Sequence, residues 1–144
     1  MTSHGEKTEI LVLGPIVVRL NGENCPIGAT KQQALLARLL AARGNLVPVF
    51  DLCHELWDDR TPRDPVHALQ ARISRLRQAV PSLQIEQVAS GYRLSTQDID
   101  TDITRFERLR EDAQALLKDG ALAVASARLH EALELWRGPA FGGF

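Results

Sequence analysis

The sequence has two cysteines, one methionine, no long apolar run and no glycine-rich loop. Each shortage excludes something. Cys25 and Cys53 lie far apart and outside metal-ligand spacing, so they read as two buried, reduced thiols and not as a disulfide framework. A membrane-spanning helix needs roughly 18 consecutive apolar residues. The best run here, Ile10–Val18, is broken by Gly14 and Pro15. Its leader holds Glu6 and Glu9 where a secretory signal carries basic residues, so the expected location is the cytoplasm, with no membrane partner. His4, His54, His67 and His130 stand singly, Gly14 and Gly28 belong to no phosphate loop, and no nucleophile elbow occurs. No catalytic residue, metal site, cofactor or enzymatic activity is therefore expected.

What remains is one ordinary domain, or one small domain with an appendage: 144 residues, 44% hydrophobic and 24% charged. The net charge of −1 is unevenly spread. Residues 1–95 hold eleven basic and nine acidic side chains, and residues 96–144 hold six and nine. Between Arg60 and Val80 five arginines face the single Asp64. A chain neutral on average thus presents one positive stripe.

Residues 1–9 are polar and expected to be disordered. Glu9–Leu13, Ile16–Leu20 and Asn24–Ile27 read as three antiparallel strands, with Asn21-Gly22 as a hairpin turn. A first helix starts at Thr30, where Gln33 completes a capping box, carries Leu35, Leu36, Leu39 and Leu40 on one stripe, and ends at Gly44-Asn45. Pro48 opens a second helix with Leu52, Cys53, Leu56 and Trp57 facing inward, and Asp58–Arg63 is a loop. Asp64 caps a third helix, with Pro65 in its first turn and Leu69, Ile73, Leu76 and Val80 as its buried stripe. A hairpin follows, Leu83–Ala89 and Tyr92–Ser95 about Ser90-Gly91. Beyond a boundary at Ser95–Asp100, two amphipathic helices form an antiparallel pair. The first bears Ile103, Phe106, Leu109, Ala113 and Leu116, and the second Leu122, Ala125, Leu129, Leu133 and Trp136. Arg137–Phe144 is irregular.

The third helix is where chemistry is expected. On a helical wheel His67, Ala71, Ser74, Arg75 and Gln78 oppose the buried stripe, with Gln70, Arg72 and Arg77 on the flanks. Arginine bonds guanine bidentately and glutamine does the same to adenine, while alanine and serine allow close approach. Composition alone leaves a solvated basic face equally open. Element order decides: sheet, helix, helix, basic helix and hairpin is the arrangement of a winged helix-turn-helix, whose third helix enters the major groove.

Several segments, in order, resemble a known family. Leu13-Gly14-Pro15, Lys31-Gln32-Gln33-Ala34-Leu35-Leu36, Leu56-Trp57, His67-Ala68-Leu69-Gln70, Ser74-Arg75-Leu76-Arg77 and Gly91-Tyr92-Arg93-Leu94 are similar to the OmpR/PhoB-type winged-helix domain of the SARP antibiotic regulatory proteins. Arg105-Phe106-Glu107-Arg108-Leu109 and Leu135-Trp136-Arg137-Gly138-Pro139-Ala140 resemble the bacterial transcriptional activation domain that follows it.

The resemblance implies an α+β fold: a winged helix-turn-helix over 10–96, with an N-terminal antiparallel sheet and a β-hairpin wing, then a TPR-like helical hairpin over 101–144 as a partial activation domain. It implies a sequence-specific activator of a secondary-metabolite gene cluster, dimeric on direct-repeat sites in double-stranded DNA and recruiting RNA polymerase. The base-reading residues would be His67, Gln70, Ala71, Ser74 and Arg75. Arg63, Arg72 and Arg77 would hold phosphates, Arg93 would be the wing contact, and Asp58, Asp59 and Arg60 would form a polymerase-contact loop. The family's activation domain is a larger bundle, so the single hairpin is expected to be part of a longer chain, or to pack on the winged domain or a second copy. The alternative function is a protein–protein interaction module using that hairpin.

Overall fold

The computed structural model describes residues 7–57 and 60–144. Two small sheets flank three helices, and a helical hairpin is joined to one of the sheets. The first sheet opens with β1 (Thr8–Leu11), β2 (Val17–Leu20) and β3 (Glu23–Cys25). β2 and β3 meet through Asn21 and Gly22, both at positive φ (53° and 87°), the primed turn that suits a two-residue hairpin. β1 begins at Thr8, inside the stretch expected to be loose, because Thr8 pairs with Leu20 and its side chain is buried against Ser82.

The sheet has four strands, not the expected three, and is not purely antiparallel. Its fourth strand is β7 (Ile99–Thr101), which pairs parallel to β1 in the order β3-β2-β1-β7. The segment expected to be a bare boundary is thus a strand within the first unit's sheet. A three-residue strand is too short to leave a periodic trace in sequence.

α1 (Thr30–Ala41) buries Leu35, Leu36, Leu39 and Leu40 as the stripe requires. The capping box does not form. Thr30 is already helical, Ala29 is the cap, and Gln33 turns its amide back to the carbonyl of Gly28. β4 (Val47–Pro48) leads into α2 (Val49–Leu56), which buries Leu52 and Leu56, while both cysteines are only half-buried. α3 (Pro65–Ala79) begins as expected, with the Asp64 carboxylate accepting from the His67 amide at 3.1 Å. Leu69, Ile73, Leu76 and Val80 enter the core beside Ile10, Val18, Leu36 and Leu52.

The wing pairs β5 (Ile85–Val88) with β6 (Gly91–Leu94), and β4 adds a third strand on the far side of β6. Its turn falls at Ala89-Ser90, one residue earlier than expected, with Ala89 at φ 49°. Gly91 is needed at the start of β6. A Cβ there would stand 2.5 Å from the Val47 carbonyl oxygen.

α4 (Asp102–Lys118), capped by Thr101, and α5 (Leu122–Glu134) form the helical hairpin. Its seam is made of the fully buried alanines Ala113, Ala125 and Ala132, closed at one end by an edge-to-face contact of Phe106 on Trp136. Small residues bring the two axes close, so the larger side chains splay outward. Leu122 and Leu133, expected on the buried face, are 65% exposed, and Leu129 and Trp136 are also exposed.

Residues 137–144 are irregular, as expected, apart from one 3-10 turn at Ala140–Gly143, and they form a strap on the first unit. The amides of Arg137, Phe141 and Gly142 donate to the carbonyls of Leu13, Val12 and Gly14 at 2.7, 2.6 and 2.8 Å. From the other side, the buried carboxylate of Asp102 accepts from the Val12 and Leu13 amides at 2.8 and 3.1 Å. Val12–Gly14 has run off the end of its sheet, and the second unit satisfies its polar groups. Gly14, at φ 143°, allows this approach, since a Cβ would sit 2.8 Å from that of Arg137. Ion pairs from Arg105 to Glu9 and Asp100, and from Arg43 to Glu107, cross the same junction. Of the expected packings, the hairpin takes the one against the winged unit.

Candidate nucleic-acid interface

α3 turns one side fully into the core, and this fixes what its other side presents. His67, Gln70, Ser74, Arg75 and Gln78 are exposed, and Ala71 and Arg72 are half-buried along its flanks. Its 15 residues make a rod of roughly 22 Å, which fits a major groove about 12 Å wide. Pro65 in its first turn and the Asp64 cap fix the end from which His67 projects.

The arginines differ in what already holds them. Arg77 donates to the Ile85 carbonyl at 2.6 Å and so ties the helix to the wing. Arg93 faces Glu86 across β5 and β6, and their ion pair of 2.6 Å is on the exposed face of the wing. Such a pair neutralises part of the wing's charge and must open or share its donors before a phosphate is bound. Arg72 and Arg75 make no ion pair among the described residues. Arg63 and Arg60 lie exposed in the loop before α3. Asp58 and Asp59, the acidic members of the expected polymerase-contact loop, lie outside the described residues.

Two further side chains stand near α3. Phe50, 77% exposed in the first turn of α2, stacks on the His54 ring with centroids 6.2 Å apart, next to the point where the Val49 amide donates to Ser90 of the wing turn. It falls off the apolar stripe of α2, which is the signal available in sequence. Gln32 is buried in the first turn of α1 and points at the flank of α3. Its spacing of three, four and seven residues from Leu35, Leu36 and Leu39 puts it on the buried stripe of α1, which is the signal available in sequence. Lys31, beside it, donates its Nζ to the Leu56 carbonyl at the end of α2, where a cation meets the negative end of the helix dipole.

The Cys53 thiol is pushed up from its ordinary pKa by burial, and its Sγ lies 3.6 Å from the Pro65 carbonyl oxygen. Among the described residues no group of His, Cys, Asp and Glu side chains is placed to hold a metal ion, and no helix is long and apolar enough to cross a membrane.

Comparison with known proteins places this geometry. The bacterial transcriptional activator domain matches residues 101–144. The regulatory protein DnrI of Streptomyces peucetius is 33% identical over 143 residues, covering 92% of this chain and 53% of that protein. The transcriptional regulator RedD of Streptomyces coelicolor is 35% identical, over 94% of this chain and 41% of its own length. Among solved structures, Mycobacterium tuberculosis EmbR, in complex with a low affinity phosphopeptide, superposes with a TM-score of 0.85 at 28% identity, over 96% of this chain and 38% of that one. This chain therefore spans about half the length of DnrI and less of the others. A winged helix-turn-helix followed by a helical hairpin, with relatives of this kind along nearly all of its length, identifies the chain as a member of the SARP family of bacterial transcriptional regulators.

Proposed function

We propose that this regulator binds duplex DNA sequence-specifically through α3 and activates transcription of a secondary-metabolite gene cluster in the cytoplasm. The observation that carries the reading is the two-sidedness of α3: Leu69, Ile73 and Leu76 are sealed in the core while His67, Gln70, Ser74 and Arg75 face outward together. In this reading residues 10–96 are the DNA-binding domain and 101–144 the activation domain. His67, Gln70, Ala71, Ser74 and Arg75 meet base edges, with Arg75 supplying the bidentate fork. Arg63 and Arg72 hold backbone phosphates, Arg77 does so with the donors that Ile85 leaves free, and Arg93 meets the backbone or minor groove beside the wing. Two copies on a direct repeat bring Asp58, Asp59 and Arg60 toward RNA polymerase.

Selection of duplexes from a random pool, followed by anisotropy titration, tests this. A defined motif is expected, with affinity falling steeply as salt rises. Arg75→Ala should cost roughly 1–3 kcal/mol and relax preference at one base pair, whereas Arg63→Ala should weaken all sequences alike and flatten the salt slope by about 1. No enriched motif, or an Arg75→Ala protein of unchanged preference, overturns the assignment.

One observation favours a second reading, the hairpin as a protein-interaction module. Leu122, Leu129, Leu133 and Trp136 form an exposed apolar set on α5 and just beyond it, and such patches commonly mark association surfaces. Sedimentation of the chain without DNA tests it. Self-association lost in Leu133→Lys supports this reading, and a monomer at all concentrations counts against a second copy as the partner.

A further inference from the structure

We propose that the groove between the N-terminus of α1 and the flank of α3 seats one phosphate of the DNA backbone, and that Gln32 completes the seat by orienting Arg72. The inference rests on the DNA-binding reading above and adds a contact outside the base-reading face.

Three observations meet in this groove. Among the described residues, nothing accepts from the amides of Thr30 and Lys31, because Ala29 offers no capping side chain. The first turn of a twelve-residue helix thus keeps unspent donors, and the positive end of its dipole, beside the groove that Ala29 and Gln32 line. Gln32, one position further on, is only 2% exposed, and its Oε1 has no partner. Native proteins rarely leave a buried carbonyl oxygen in that condition, so it calls for a donor. Finally, Pro26, Gly28 and Ala29 form one wall of the groove and Arg72 and Arg75 the other. Neither arginine is ion-paired among the described residues.

No anion by itself satisfies these groups. An anion alone is repelled by the Gln32 oxygen, and a donor alone opposes the helix end. An arginine with a phosphate satisfies both. The guanidinium carries five N–H donors in a planar fork. One of them donates to Gln32 Oε1, and others donate to the phosphate oxygens, which also accept from the Thr30 and Lys31 amides. Arg72 is the arginine so held, because it is already half-buried at the groove whereas Arg75 stands exposed among the base-reading residues. A duplex whose base edges reach Arg75 carries its backbone past the same groove, and this favours a phosphodiester over a free anion.

The test uses the full chain and its selected duplex. Gln32→Leu removes a buried unpaired amide at nearly constant volume, so its melting temperature should stay equal or rise. Its DNA affinity should nonetheless fall about tenfold. Arg72→Ala should cause a similar loss, and the double variant should be no worse than either single one, whereas Gln32→Leu with Arg75→Ala should be additive. On the DNA, neutral methylphosphonate at one backbone position should weaken the wild type and leave Gln32→Leu unaffected. Losses that add between Gln32→Leu and Arg72→Ala, or a Gln32→Leu protein that binds as wild type, overturn the seat and leave the reading of α3 intact. A wild-type chain that binds no duplex overturns both. Millimolar inorganic phosphate, at matched ionic strength and without DNA, should not protect Arg72 from phenylglyoxal. Protection that depends on Gln32 would assign the groove to a free anion instead.

Discussion

Replacing Asp102 by alanine should separate the two halves of the molecule without touching the core of either. Its carboxylate is 1% exposed, accepts from the Val12 and Leu13 amides, and has Arg137 Nη2 at 3.9 Å. Alanine leaves two buried backbone N–H groups without acceptors, each costing roughly 1–3 kcal/mol, so the expected loss is about 2–6 kcal/mol. Relaxation that admits water would bring the value to the lower end. Asp102→Asn keeps one acceptor and turns a donor toward the second amide, so it should fall between alanine and wild type. Urea denaturation measures the loss, and hydrogen exchange locates it. The Val12, Leu13 and Phe141 amides should exchange faster, while those of Leu36 and Ile73 should change only as far as global stability does. A loss below about 1 kcal/mol with those three amides still protected would refute the idea that this carboxylate joins the units.

Further outcomes follow from the same contacts. Gly14→Ala should destabilise the chain by roughly 1–3 kcal/mol, because φ 143° and the Arg137 Cβ both oppose a side chain there; thermal denaturation reads this directly. Gly91→Ala should loosen the wing, where the Val47 carbonyl leaves no room, and weaken DNA binding more than it lowers the melting temperature. Burial raises the Cys53 thiol pKa, so its neutral form is favoured in the folded chain. Iodoacetamide should therefore label Cys53 more slowly than a free thiol at neutral pH, and the difference should vanish in urea. By linkage this contribution to stability is present at neutral pH and is lost as pH rises through the raised value, so alkaline titration of a Cys53→Ser variant should show a weaker dependence.

The elements legible in sequence are those whose cause is local. The leucine stripe of α1, the Asp64 cap with Pro65, and the Asn21-Gly22 turn each sit within a few residues of what they determine. The four-stranded sheet was not legible, since Ile99–Thr101 is a strand only because β1 lies beside it. Nor was the strap. Leu13-Gly14-Pro15 and Trp136-Arg137-Gly138-Pro139 are recognisable as segments, yet only folding brings them together more than a hundred positions apart. The same holds at the site. The exposed face of α3 follows from its wheel, while the engagement of Arg77 with Ile85 and of Arg93 with Glu86 depends on how the wing folds back.

The strap changes what the helical hairpin can be. A hairpin on a free linker would sample many orientations, and any partner it recruited would be positioned only by tether length. Here Val12–Gly14 is bonded from both sides, by Asp102 at the start of α4 and by residues 137–142 beyond α5, so both ends of the hairpin are fixed to one short segment. Val12 belongs to the core that also holds α3. An element seated on α5 thus takes a defined direction relative to the exposed face of α3, with no flexible joint between them. If the exposed leucines of α5 bind a partner, that partner's placement on DNA should follow the helical phase of the site. Insertion of five base pairs between the site and a promoter, roughly half a turn, should abolish activation, and insertion of ten should restore it. Activation indifferent to spacing would mean that the strap opens when the protein works.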